Sequence, residues 1–106
     1  MGNKINGQIN QLRQVNLTLK LDFDKQDLQD KHLIKLSELL KVNRGCYELR
    51  LKENWFTVEG WKHLGDALAV NKGLKRIYLG NNRTMGDDGC IAIASARMFF
   101  YLIFFV

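Results

Sequence analysis

The stretch LRLKENWFTVEGWKHLGDALAVNKGLKR, residues 49–76, is followed directly by IYLGNNRTMGDDGCIAIASAR from residue 77, and the two openings match at a distance of 28 residues. Leu49 corresponds to Ile77, Leu51 to Leu79 and Asn54 to Asn82. The same step backwards sets Leu21 under Leu49, Phe23 under Leu51, Leu28 under Phe56, Leu36 under Leu64, Leu40 under Leu68, Val42 under Val70 and Asn43 under Asn71. A fixed period of this length is the mark of stacked structural repeats. The first unit departs from the pattern, with Gln26 where the others carry Asn and His32 where the second has Gly60. The third holds one extra residue between Leu79 and Gly89.

Inside each unit the hydrophobic period changes. Leu17, Leu19, Leu21 and Phe23 alternate with polar residues, as do Leu49 and Leu51, then Ile77 and Leu79, which predicts a half-buried strand. Leu33, Leu36, Leu39 and Leu40 in the first unit, and Trp61, Leu64, Ala67 and Leu68 in the second, recur at three and four and predict a helix with one apolar face. One strand and one helix cannot bury those faces alone, so successive units must stack on a shared core. Asn54 and Asn82 fall where the chain leaves the strand and loses ladder partners, and a side-chain amide there can bond the backbone of its own and the adjacent unit. Gly60 and Gly89 fall at helix starts and are expected to relieve crowding.

The words LRLKEN, WFTVEG, HLGDAL and NKGL resemble the ribonuclease-inhibitor-like class of leucine-rich repeats. The resemblance covers about residues 17–97 and implies an α/β fold, a short open leucine-rich-repeat solenoid with parallel strands on the concave side and helices on the convex side. That scaffold is shared by ribonuclease inhibitors, NOD-like receptor arrays, tropomodulin-like actin-capping proteins and the activators of Ran-type small GTPases. The expected division is an amino-terminal helical partial repeat or cap over residues 1–16, with Ile5, Ile9, Leu12 and Val15 at helical spacing, about three units over 17–97, and an apolar tail over 98–106.

In this repeat class the polar residues between inward strand positions line the concave arc. Here they are Lys20 and Asp22, then Glu48, Arg50 and Lys52, then Arg76 and Tyr78, with Trp55 just past the turn. Arg, Tyr and Trp recur as interface anchors. Arg50, Trp55, Arg76 and Tyr78, joined by Lys52 and Glu48, are therefore the candidate partner-binding residues of a protein-interaction module.

Other function classes find little support. The net charge is +5, but residues 1–45 carry eight Lys or Arg against five acids and residues 46–106 eight against six, so no basic tract points to specific nucleic-acid binding. His32 and His63 lack the spacing of a metal pair, and TMGDDG, residues 84–89, lacks the alternating acidic ligands of a calcium loop. No phosphate-loop, dinucleotide or nucleophile-elbow motif is present, so neither catalysis nor a cofactor is expected. Cys46 and Cys90, 44 residues apart, are expected as buried thiols in a reducing, cytoplasmic setting, since residues 1–16 lack an apolar signal region. The start MGNKIN matches a myristoylation start only loosely, with Asn6 at the sixth position.

After Arg97 the repeat register fails and MFFYLIFFV runs apolar, too short to span a bilayer as a helix. A packed end piece, a shallow membrane tail and the product of a truncated gene compete, with truncation of a longer array favoured. A small-GTPase regulator and a peptide held on a membrane by its aromatic tail are the alternative functions. The partner itself is not written in the repeat pattern.

Overall fold

The computed structural model describes residues 2–82, 93 and 102–104. Helix α1 (Gly2–Asn10) continues into a 3-10 turn (Gln11–Arg13); strand β1 (Leu19–Asp22) and helix α2 (Asp30–Leu40) form the first full unit. Strand β2 (Cys46–Arg50) with helix α3 (Val58–Val70), then β3 (Arg76–Tyr78), repeat the order, and β4 (Leu102–Phe104) closes the described chain. The four strands form one parallel sheet in the order β1-β2-β3-β4. A crossover between neighbouring parallel strands needs a connection long enough to hold a helix, which α2 supplies between β1 and β2 and α3 between β2 and β3.

The core lies between sheet and helices. Leu21, Leu49 and Ile77 are paired across the three strands, and all are buried with Phe23, Leu51 and Leu79. Facing them, Leu33, Leu36 and Leu40 of α2 and Trp61, Leu64, Ala67 and Leu68 of α3 are buried, with Phe56 edge-on to Trp61 at 5.2 Å between ring centroids. Ile93, helical and buried, joins this core from the third unit. Gly60 sits where α3 meets the first turn of α2: a Cβ there would lie 2.5 Å from Asp30 Oδ1 and 3.2 Å from Leu33 Cδ2.

Two rows of asparagine sew the units together. Asn54 Oδ1 accepts the backbone N–H groups of Gln26 and Leu28, while its Nδ2 donates to the carbonyls of Phe23, Leu51 and Lys52. Asn82 repeats this one unit on, with Oδ1 accepting Asn54 N–H and Nδ2 donating to Leu51 and Leu79. A second row, at the helix-to-strand turns, uses Asn43 and Asn71: Asn43 Nδ2 donates to the Leu12 carbonyl and Asn71 Nδ2 to those of Leu40 and Asn43. Their Oδ1 atoms accept the N–H groups of Cys46 and of Gly73 and Leu74. All four side chains are buried, so these bonds satisfy backbone groups that water cannot reach.

The strand-to-helix turns share another feature. Lys25, Glu53 and Asn81, one period apart, each hold φ at 57°, the left-handed region uncommon for residues with a Cβ. Asp30 then links the helix starts, its Oδ1 accepting Thr57 N–H at 2.8 Å while its other oxygen takes the Thr57 hydroxyl.

The strand boundary and the amino end differ from expectation. Leu17, placed on the inward strand face by its alternation, is 43% exposed, and β1 starts two residues later. The reason is local: the Val15 carbonyl accepts the N–H groups of Arg44 and Gly45, so the chain runs along a turn there before it enters the sheet. Val15, expected on the amino-terminal apolar face, lies past the 3-10 turn and is 37% exposed, whereas Ile5, Ile9 and Leu12 are buried. Within the apolar run 98–106, Leu102–Phe104 pair in register with Arg76–Tyr78, a strand that no alternation marks. The loop 84–89, Gly89, Cys90 and Arg97 lie outside the described residues. Among the described residues no helix is long and apolar enough to cross a membrane.

Candidate functional site

Parallel pairing lines up the outward residues of the sheet in rows. Lys20, Glu48 and Arg76 form one row, and Asp22, Arg50 and Tyr78 the next. In a strand every second side chain shares a face, so these rows and the following Asp24 and Lys52 make one continuous polar surface.

The rows are cross-linked within the chain. Arg76 Nε donates to Glu48 Oε1 at 2.8 Å, and Glu48 is buried, 7% exposed. Arg50 Nε donates to Asp24 Oδ2 at 3.0 Å, and its guanidinium carbon stands 4.3 Å from the centre of the Tyr78 ring. The hydrogen bond to Asp24 holds the Arg50 pKa above its ordinary value, and that to Glu48 does the same for Arg76. Lys52 enters through its backbone, whose N–H donates to Asp24 Oδ1 at 2.8 Å, leaving its side chain half-exposed.

Five of the six candidates, Glu48, Arg50, Lys52, Arg76 and Tyr78, thus lie on one face. Trp55 does not. It sits beyond the strand, 51% exposed, with Nε1 donating to Asp27 Oδ1 at 3.2 Å. There it borders a groove of about 260 Å³ with Lys25, Asp27, Glu53, Asn54 and Asn81.

Two residues of the face, Asp24 and Tyr47, are not among the candidates taken from the sequence. Asp24 continues the alternation of Lys20 and Asp22 and stands one period before Lys52, so a signal existed. Tyr47 had none: Leu19 pairs with Cys46 but Lys20 with Glu48, so a bulge inserts Tyr47 as an extra residue. Its half-buried ring lies 5.8 Å from the Arg76 guanidinium carbon. The bulge also leaves Cys46 buried, and burial pushes its thiol up to about 11.

The histidines sit on the helices. His32 Nδ1 accepts Gln29 N–H at 3.0 Å, and His63 Nε2 is 3.4 Å from Glu59 Oε1. Among the described residues no cluster of His, Cys, Asp and Glu could hold a metal ion. The surface thus holds cations stacked on rings, with carboxylates between them.

Strands in parallel on one side, helices on the other and asparagine rows between units define a short open leucine-rich-repeat solenoid of the α/β class. No protein-family model matches the chain, and no curated protein matches it in sequence. Among solved structures it is similar to one titled "Leiomodin-1 Actin-Binding Site 2 (ABS2)", with a TM-score of 0.81, 18% identity, and 94% of this chain and 61% of that chain covered. The likeness is one of fold, and the chain spans about three fifths of that chain's length.

Proposed function

We propose that this chain is a protein-interaction module of the ribonuclease-inhibitor-like repeat class, holding its partner against the concave sheet face. The observation that carries the reading is the stack of Arg50 on Tyr78, flanked by Arg76 with Glu48 and Tyr47. These are large side chains held in place by neighbours, so a partner meeting them loses little conformational freedom. In this reading residues 1–16 cover the first strand, 17–97 carry the repeats and 98–106 form the end segment. The module works in the cytoplasm, within a longer array, and needs no cofactor.

The leiomodin-1 likeness makes actin the first partner to try. Co-sedimentation with actin filaments and a fluorescence titration with actin monomers, on wild type and Arg50→Ala/Tyr78→Ala, test it. The double variant is expected to bind at least about tenfold more weakly, as loss of an interface anchor pair implies, with its unfolding midpoint little changed. Glu38→Ala, on the exposed side of α2, is expected to bind as wild type. Equal binding by all three proteins would overturn the concave-face reading; no binding to either form of actin would overturn actin as the partner.

A further inference from the structure

The two long edges of the solenoid differ in charge. On the helix-to-strand edge, residues 11–18, 41–45 and 71–75 carry five cations, Arg13, Lys41, Arg44, Lys72 and Lys75, and no Asp or Glu. On the strand-to-helix edge, residues 23–30 and 51–58 carry four acids against Lys25 and Lys52. The five cations are all exposed, and among the described residues none is ion-paired to a carboxylate.

The same basic edge is also the apolar one. Of the five exposed large hydrophobics among the described residues, Val15, Leu17 and Val42 lie in these turns, Val70 ends α3 directly before the third, and only Trp55 lies elsewhere. The turns that carry them are in contact: Val15 O accepts Arg44 N–H, Asn71 Nδ2 donates to the Asn43 carbonyl, and a Cβ on Gly73 would lie 2.2 Å from Arg44 O. A groove of about 170 Å³ between the second and third turns is lined by Lys41, Val42, Asn43, Arg44, Val70 and Lys72. Cations near a helix carboxyl end are favoured by its dipole. That accounts for Lys41 but not for valines set one period apart, 61% and 52% exposed, among charges of a single sign.

We propose that this edge docks on an anionic membrane surface, the Lys and Arg side chains meeting lipid phosphates and carboxylates while the valines enter the headgroup boundary. Short aliphatic side chains interleaved with cations suit a fluid lipid surface. Stacking of nucleic-acid bases would need exposed aromatic rings, and the three turns carry none. The proposal does not depend on the concave face, which stays open to a protein partner when the edge is occupied.

Vesicle flotation of the full chain tests it, with phosphatidylcholine alone and phosphatidylcholine mixed with phosphatidylserine. Binding is expected to the mixed vesicles and to weaken with salt. Lys41→Glu/Lys72→Glu is expected to lose at least about tenfold in affinity, Val42→Ser/Val70→Ser to weaken it as well, and Lys31→Glu/Lys62→Glu, an equal charge change on exposed helix positions, to leave it intact. Circular dichroism checks that each variant is folded. Equal loss in both lysine pairs, binding to neutral vesicles independent of salt, or binding to soluble polyglutamate but to no vesicle would each overturn the proposal.

Discussion

Asn54 shows how much one side chain can hold. Its amide serves five backbone groups in two units, and replacing it by Ala takes the partner from the buried Phe23 carbonyl and the buried Leu28 N–H. The expected loss is about 2–4 kcal/mol, since each stranded buried polar group costs roughly 1–3, read as a drop in the urea midpoint. Gln26, one period earlier, is exposed, and among the described residues its side chain bonds only the nearby Asp24 carbonyl. Gln26→Ala is expected to stay within about 0.5 kcal/mol of wild type. The same position thus carries Asn where an earlier strand offers carbonyls and can drift where β1 is the edge of the sheet. Cys46 gives a chemical readout at this scale. With its thiol pushed up to about 11 and its sulfur donating to the Glu48 carbonyl, alkylation at neutral pH is expected to spare it until urea unfolds the chain, as peptide mass mapping would record.

At the scale of elements, the first turn of α2 holds a histidine that serves the helix start as an acceptor and so closes a capping box with Gln29. His32 Nδ1 accepts Gln29 N–H, and burial, then the neighbouring Lys31, lowers its pKa below 6.5. Because the unfolded chain then binds the extra proton, the stability from neutral His32 is fully present above about 6.5 and is lost as pH falls through the folded value. His32→Gln keeps an acceptor at that position of the capping box. The variant is expected to show a flatter unfolding midpoint than wild type between about pH 7.5 and about pH 5. The elements were legible to different depths. Burial on one side only of a strand or helix imposes period on the sequence, which is why Leu21, Leu49 and Ile77, or Leu36 and Leu64, could be read directly. Alternation alone could not say where pairing starts, so Leu17 was drawn into β1. The uniformly apolar 102–104 carried no periodic sign of a strand. Nor does any one-dimensional pattern announce a bulge like that at Tyr47, or show that Arg50 and Arg76 would find carboxylates on neighbouring segments. Five candidate residues fell on one face because the repeat fixes their register; Trp55 fell off it because the chain turns at Asn54.

For the molecule as a whole, the bonds that join units run at a constant reach. Asn54 and Asn82 each donate to a carbonyl 31 residues back, as do Asn43 and Asn71. Removing residues 45–72, one full period of 28, would offer β3 to β1 with Leu21 opposite Ile77 and Phe23 opposite Leu79, and would give Asn82 the carbonyl of Phe23 in place of that of Leu51. This shortened chain is expected to unfold cooperatively at a lower temperature, because a solenoid's stability grows with the number of stacked neighbours. Removing only residues 45–71 shifts every later side chain to the wrong face and is expected to abolish the cooperative transition in circular dichroism. The twin asparagine rows therefore act as a grammar for inheritance: a tandem duplication or loss of one whole period lands every new neighbour on a partner already of the right kind. Arrays built this way can change length across generations in a single step.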